Sequence, residues 1–251
     1  MPQTYFHLFD SETEHTQYIN SVNYREPYVA SIDNDLGVHY NEYNNDYYIN
    51  TDDYIIKSYL KSPGKNTAGS LIDTGIRASN RLRIVYCGGS YQYGGDYGFP
   101  FGYRINDDNN NHTFMAVSYK SDYSFTPSVH NATYQGWTAI KNTNTNHVID
   151  ISLERLIFDG VEYPNVNENK DVEWTATGGY VYIFGLGIKT NTYDGNSPDY
   201  YIMRWCKMYE GDKLVRDFIP AQRRSDSKYG MYDSVSKQFF ISKNGVNFTG
   251  G

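Results

Sequence analysis

LVRDFIPAQRRSDSKYGMYDSVSKQFFISKNGVNFTGG, residues 214–251, is the stretch on which the fold turns. LVRDFIP reads as a short strand closed by Pro220, because proline cannot donate to a β-ladder. AQRRSDSKYG reads as a polar connector. MYDSVSKQFFISKNGVNF reads as two short aromatic-rich strands set around turns. β-branched and aromatic runs bounded by Gly, Asn, Ser and Pro are the pattern of strands and hairpins.

The same pattern runs outward from this block. YYIMRWCKMY at 200–209 and a turn at Glu210-Gly211-Asp212 supply the first half of a large hairpin with 213–219. GYVYIFG at 179–185 alternates strictly. HVIDISL at 147–153 puts Ile149, Ile151 and Leu153 on one face, and LIFDG at 156–160 returns after a tight turn, with Val161 and Tyr163 continuing it. Further strands are expected at 112–119, 81–87, 70–76, 54–60 and 47–49. YVASI at 28–32 and VHY at 38–40 form a short hairpin around DNDLG. No segment holds a 3.6-residue period over a helix length, and many short strands with near-regular turn signals indicate a sandwich.

Several of these strings resemble one family. The LVRDFIP hairpin, the polar loop, G-M-Y-D and the final F-T-G-G resemble the C-terminal end of laminin-G-like (concanavalin A-like) jelly-roll domains. SLIDTGI at 70–76 is similar to the strand that opens the same sandwich, and the hairpin ending in Asp159-Gly160 to its central hairpin. Such domains are common in phage structural proteins and in gut-bacterial surface proteins. A second string, VNYREPYVASIDNDLGVHYN at 22–41, resembles a segment near the start of virion proteins from phages of Bacteroides-type (crAss-like) hosts. The resemblance implies an all-β, concanavalin A-like antiparallel β-sandwich at 45–251. An attachment arm at 1–44 precedes it, with Tyr24, Glu26, Pro27, Tyr28 and Tyr40 among the residues that carry the likeness.

Composition narrows the function. The chain has 251 residues, 27 of them tyrosine and 12 phenylalanine, so aromatics must supply much of the core. Tyrosine carries a hydroxyl, which places many rings at the boundary between core and water. A net charge of −7 disfavours direct nucleic-acid binding, which needs a basic patch against phosphate. The nearest approach is Arg223-Arg224, read as a solvated loop. Cys87 and Cys206 sit in apolar strand contexts and read as buried free thiols. MPQTYFHLFDSETEH has no basic segment and no long apolar stretch, so export by a signal peptide is not expected. No run approaches the ~20 apolar residues of a membrane span, and no membrane insertion is expected.

Catalytic patterns are sparse. Glycoside hydrolysis on this fold needs two acids flanking the bond, with carboxyls about 5 Å apart for retention. No E-x-D-x-E string is present; Glu162 and Glu168 are separated by a Pro/Asn loop, and Asp150, Ser152 and Glu154 lack a second acid in register. The six histidines are scattered without metal-ligand spacing. Asp107-Asp108-Asn109 reads as an oxygen-rich loop without an ion. No cofactor is expected, and the chain is not expected to be an enzyme.

Recognition has better candidates. Tyr91, Tyr93, Asp96 and Tyr97 lie on the Gly/Tyr-rich loop at 88–98, and tyrosines on such a loop offer amphipathic contact area at low entropic cost. Trp137 could stack on a sugar ring. The alternative for each is that the ring folds back to cap the sandwich. Arg216, Asp217, Asp233 and Arg104 read as structural charges that pair and hold turns.

The expectation is a phage virion protein, a capsid-decorating or head-fibre subunit made in the host cytoplasm. Its arm would bind other virion proteins, its jelly roll would be displayed for adhesion to host surface or gut glycans, and it would be a homo-oligomer. The alternatives are a tail fibre or receptor-binding component, and a bacterial cell-surface glycan-binding module.

Overall fold

Period-two burial is visible along the central strands. In the strand Leu82–Ser90, Leu82, Ile84 and Tyr86 are buried while Arg83 and Val85 between them are only partly so. Successive side chains of a strand point to opposite faces, so one face of this strand builds a core. The computed structural model describes residues 5–9, 28–32, 38–42, 45–49, 53–62, 70–90, 97–104, 113–119, 124–129, 132–136, 140–141, 147–167, 179–188, 192–194, 201–243 and 245–251. All regular structure among them is β, and none of them forms a helix long and apolar enough to cross a membrane.

A small sheet comes first. Strands β1 (Tyr5–Phe9), β2 (Tyr28–Ile32), β3 (Val38–Glu42) and β4 (Asn45–Ile49) lie in that order. β2 and β3 form the antiparallel hairpin expected from YVASI and VHY. β1 adds to β2 in parallel, and β4 adds antiparallel to β3. The boundary expected between residues 44 and 45 therefore falls inside this sheet, because β4 begins at Asn45 and pairs with β3.

The remaining strands are β5 (Tyr54–Ile56), β6 (Leu60–Lys61), β7 (Ile72–Arg77), β8 (Leu82–Ser90), β9 (Tyr97–Arg104), β10 (Thr113–Tyr119), β11 (Ser124–Val129), β12 (Ile140–Lys141), β13 (His147–Ile151), β14 (Arg155–Phe158), β15 (Val161–Pro164), β16 (Tyr180–Ile183), β17 (Leu186–Ile188), β18 (Thr192–Asp194), β19 (Tyr201–Glu210), β20 (Lys213–Arg223), β21 (Tyr229–Asp233), β22 (Gln238–Phe240) and β23 (Thr249–Gly250). One sheet runs β12-β11-β10-β9-β16-β7, with β17 and β18 attached through β9. The other runs β15-β14-β13-β8-β19-β20-β21-β22, with β5, β6 and β23 attached. Apart from β17 on β9, the pairings in both sheets are antiparallel.

Both sheets contribute to one core, which gives a sandwich-like arrangement. Ile84, Tyr86, Ile149, Leu156, Met203 and Phe218 from the larger sheet cluster with Phe101, Phe114, Phe125 and Ile183 from the other. Rings meet between the layers: Tyr86 stands edge-on to Phe101 at 5.3 Å, and Phe125 lies 5.8 Å from Phe158. These are favourable aromatic separations, and they explain how a chain short of aliphatics fills its interior.

A bulge sets the parity of β19. Met203 pairs with Gly88 and Trp205 with Cys87, which leaves Arg204 as the extra residue. Met203 and Cys206 would otherwise point to opposite faces; with the bulge both are fully buried in the core, along with Met208.

Four expectations change. First, Pro220 does not close its strand, since β20 continues to Arg223. β19 and β20 are paired only from Cys206/Phe218 to Glu210/Lys213 and then diverge. Pro220 lies beyond the fork, where its carbonyl accepts from Lys57 N–H at 2.9 Å and β19 has no ladder bond to lose. Second, the strand expected at 54–60 is split. β5 runs into the fork along β20, residues 57–59 turn, and β6 returns along β19. β23 then pairs with β6, which gives the F-T-G-G motif its place. Third, Arg223 belongs to β20 and not to a solvated loop; it holds Asp226 with two hydrogen bonds of 3.0 and 2.6 Å, and its guanidinium lies over the Phe239 ring. Fourth, the strict alternation at 179–185 does not carry over into burial. Val181, Tyr182, Ile183 and Phe184 are all buried, because β16 lies between β9 and β7 and the Lys243 side chain covers Tyr182.

The central hairpin is as expected, with Ile149, Ile151 and Leu153 buried together. Asp159 and Gly160, with φ of 49° and 82°, make the two-residue turn, and β15 returns from it as a further strand.

Candidate functional site

The charged residues inside apolar strands form the best-defined polar site among the described residues. Its centre is Asp233, at the end of β21 and fully buried. One carboxylate oxygen accepts from Asp217 N–H at 2.7 Å and Val235 N–H at 3.2 Å. The other accepts from the Ser236 N–H at 3.2 Å and the Ser236 hydroxyl at 2.6 Å. Arg216 Nε stands 3.6 Å from that second oxygen. Asp217, 1% exposed, accepts from the Ser234 hydroxyl at 3.0 Å. The two acids thus stitch β20 to β21 and fold the turn that follows. Hydrogen bonds to an ionised group are the strong kind, and they satisfy charges that burial would otherwise penalise.

Arg216 carries the site across to the other sheet. Its Nε donates to the Thr74 carbonyl at 3.0 Å, and its guanidinium lies 5.6 Å from the Phe240 ring centre. Thr74 belongs to the D-T-G string, whose residues each have a task. Asp73 Oδ1 accepts from Gly75 N–H at 3.1 Å, and Asp73 Oδ2 from Lys243 Nζ at 3.0 Å. The Thr74 hydroxyl donates to Val181 C=O at 2.6 Å and accepts from Ile76 N–H at 3.1 Å. Gly75 has φ of 67°, a conformation that a side chain disfavours, and a Cβ there would meet Arg216 Nη2 at 3.3 Å. This kink interrupts the β7–β16 register between Tyr180 and Tyr182.

Other ionisable groups are spoken for. Asp150 is held by Arg83 through bonds of 2.8 and 2.7 Å, and the same contact raises the Arg83 pKa. Glu162 stands 3.7 Å from Arg155. The acids weighed for hydrolysis at 150 and 162 are thus each beside an arginine, and Glu168 lies outside the described residues. Lys207 is 3% exposed and pairs in register with Asp217. His147 Nδ1 lies 2.6 Å from Asp159 Oδ2, while Asp159 Oδ1 accepts from Val148 N–H. That contact pins the Asp159-Gly160 turn to the start of β13. Arg104 ends β9, between Thr113 and Ile188 in register. Both cysteines are free and buried; burial pushes the Cys87 thiol up to about 11 and that of Cys206 further up. No group of three His, Cys, Asp or Glu among the described residues could hold a metal ion.

The recognition candidates fare differently. Tyr91, Tyr93, Asp96 and Trp137 lie outside the described residues, as do Tyr24, Glu26 and Pro27 and the oxygen-rich loop at 107–109. Tyr97 opens β9, paired with Tyr119. Tyr28 opens β2, beside Tyr5 and Asn41, and Tyr40 sits in β3 between Val29 and Tyr47.

A second apolar cluster went unforeseen. Ile219, Ala221 and Tyr232 are buried on the outer face of the larger sheet, with Tyr54, Ile56 and Phe239 packed against them. Tyr54 lies 5.1 Å from both Tyr232 and Phe239. The signal was available in the alternation of 218–221 and 231–233, where both faces of the strands are apolar. No protein-family model, curated protein or solved structure matches the chain.

Proposed function

We propose that the protein is a phage virion component, a capsid-decorating or head-fibre subunit whose concanavalin A-like jelly roll is displayed for adhesion to host surface or gut glycans. One observation carries the reading. Three of the strings that resemble laminin-G-like domains meet at one point, since Arg216 of LVRDFIP reaches Thr74 of D-T-G and stands beside Asp233 of G-M-Y-D, while a fourth, the F-T-G-G end, pairs through Thr249-Gly250 with β6. They tie the sandwich together. The small sheet at 5–49 includes the segment that resembles a virion attachment module, and it suits an anchoring role towards other virion proteins. Many copies on a particle convert weak contacts into firm adhesion, with gains of about 10²–10⁴.

Immunogold electron microscopy of purified particles tests this. Label on the capsid supports the head-fibre reading, label on the tail transfers the protein to a receptor-binding role, and absence from particles refutes the virion assignment. Glycan-array binding that is lost in Tyr91→Ala or Trp137→Ala chains would locate the adhesive surface at those loops.

A further inference from the structure

The turn between β14 and β15 sets an aspartate before a glycine, the least hindered residue that can follow it. Gly160 is exposed, and Asp159 is tied back to β13 through both its backbone and its side chain. Its N–H donates to Val148 C=O at 2.9 Å, and its Oδ1 accepts from Val148 N–H at 2.9 Å, so the side chain stands in for a backbone carbonyl. Its Oδ2 lies 2.6 Å from His147 Nδ1. An ionised carboxylate only accepts, so Nδ1 carries the proton of that bond. The imidazole is only 11% exposed and lies against Phe158, with 4.7 Å between ring centres.

The placement of His147 costs stability. Its Nε2 is buried and has no hydrogen-bond partner among the described residues. A buried polar atom left unpaired is destabilising. What the residue provides is the bond at Nδ1, and what that bond fixes is one carboxylate. That carboxylate belongs to a reactive pair. The glycine amide nitrogen of an Asp-Gly step can attack the side-chain carboxyl carbon, because glycine has no Cβ in the way and a permissive backbone. The N–Cγ bond forms, the carboxyl O–H group and the amide hydrogen leave together as water, and a five-membered succinimide remains. Water then reopens the ring at either carbonyl, giving aspartate again or isoaspartate, with no net change in atoms and no oxidation.

We propose that Asp159 is an isomerisation site guarded by His147. Ring closure must swing Cγ towards Gly160 N, on the side of the hairpin that leads to β15. The two oxygens are anchored the other way, on β13, so closure breaks the His147 and Val148 bonds together. Isomerisation would add the Asp159 Cβ to the main chain and take the side chain away from Val148, at the turn that sets the register of β15. The inference is independent of the virion reading.

Ageing the full chain at neutral pH tests it, with isoaspartate read by enzymatic methylation and placed by peptide mapping. In denaturant, where both bonds are absent, isoaspartate at 159 should form about 10–100-fold faster than in the folded chain. His147→Phe keeps a ring on Phe158 and removes the donor; it should speed the folded chain about tenfold, with hydrogen exchange at Ile149 and Phe158 unchanged. Should that exchange rise, His147→Gln decides, since it keeps an N–H donor: a rate near that of the parent supports the guard. Equal rates in the folded and denatured parent would overturn the proposal. So would a His147→Phe chain no faster than the parent, or a His147→Gln chain as fast as His147→Phe.

Discussion

Replacing Asp233 with alanine separates a scaffold from a binding site. The carboxylate accepts four hydrogen bonds, from Asp217 N–H, Val235 N–H, Ser236 N–H and the Ser236 hydroxyl, and has Arg216 at 3.6 Å. Hydrogen bonds to a charged group contribute about 1.5–3 kcal/mol each, but they share one carboxylate and do not add. Water can reach the donors at Val235, which is exposed, and Ser236, which is half-buried. The Asp217 amide is buried, and without an acceptor it costs about 1–3 kcal/mol. Loss of a partner from a buried charge pair costs about 3–5 kcal/mol. Arg216 keeps its bond to the Thr74 carbonyl and is 20% exposed, so the low end of the summed range, about 4 kcal/mol, is expected. With a guanidinium m-value of about 4 kcal/mol/M, the unfolding midpoint should fall by about 1 M at unchanged slope. Asp233→Asn keeps one acceptor oxygen and should fall about half as far. A midpoint within about 0.3 M of the parent for Asp233→Ala would refute the reasoning. A rise would do more, since polar groups poised for a ligand are often relieved by removal.

Four further outcomes are expected. Gly75→Ala forces a side chain into left-handed backbone against Arg216 and should cost about 1–2 kcal/mol in the same unfolding assay. Phe248→Ala opens a hole beside Phe184, 5.6 Å away, and should cost about 3–5 kcal/mol; a loss under about 1 kcal/mol would mean that β23 is not part of the cooperative unit. Hydrogen bonding from Arg223 holds the Asp226 carboxyl down at about 2. An acid whose pKa is depressed on folding stabilises the fold above its unfolded value and loses that contribution as pH falls, here from about 4 through about 2. Carboxyl NMR should place the Asp226 midpoint near 2, and Arg223→Gln should return it towards 4. Cys87, pushed up to about 11 by burial, and the more deeply buried Cys206 should resist a thiol reagent at pH 8 and both react on unfolding; rapid native labelling of either would contradict their burial.

How much of this was legible follows from the range of the forces involved. Period-two patterning is local, so the hairpin of Ile149, Ile151 and Leu153, with its Asp159-Gly160 turn, could be read directly. The charges at 216, 217 and 233 announced themselves by standing in apolar strands, and pairing is what makes their burial tolerable. The fork between β19 and β20 could not be read. It depends on residues 54–61 and 249–250 arriving from opposite ends of the chain to pair in the gap, and no local pattern encodes that. Pro220 therefore looked like a terminator, whereas it occupies the one stretch of β20 that β19 has left. The bulge at Arg204 is similar, since it reverses strand parity for the sake of Met203 and Cys206 and becomes visible only against β8.

These non-local features bear on function through direction. β5 begins beside Arg223, and β8 and β19 meet there at Ser90 and Tyr201, so the chain enters the sandwich at the end from which the Tyr/Gly loop departs. The turns at Gly211 and Ser152–Glu154, and the one anchored by Asp233, lie at the opposite end. If the small sheet is the anchor, Tyr91 and Tyr93 belong to a loop rooted at the anchored end, and the far end is the one carried outward. The loop that looked most suited to glycan contact is then rooted close enough to serve the attachment itself. Glycan binding that survives Tyr91→Ala and Tyr93→Ala but is lost on changing the outward turns would establish that polarity; the reverse result would return recognition to the loop.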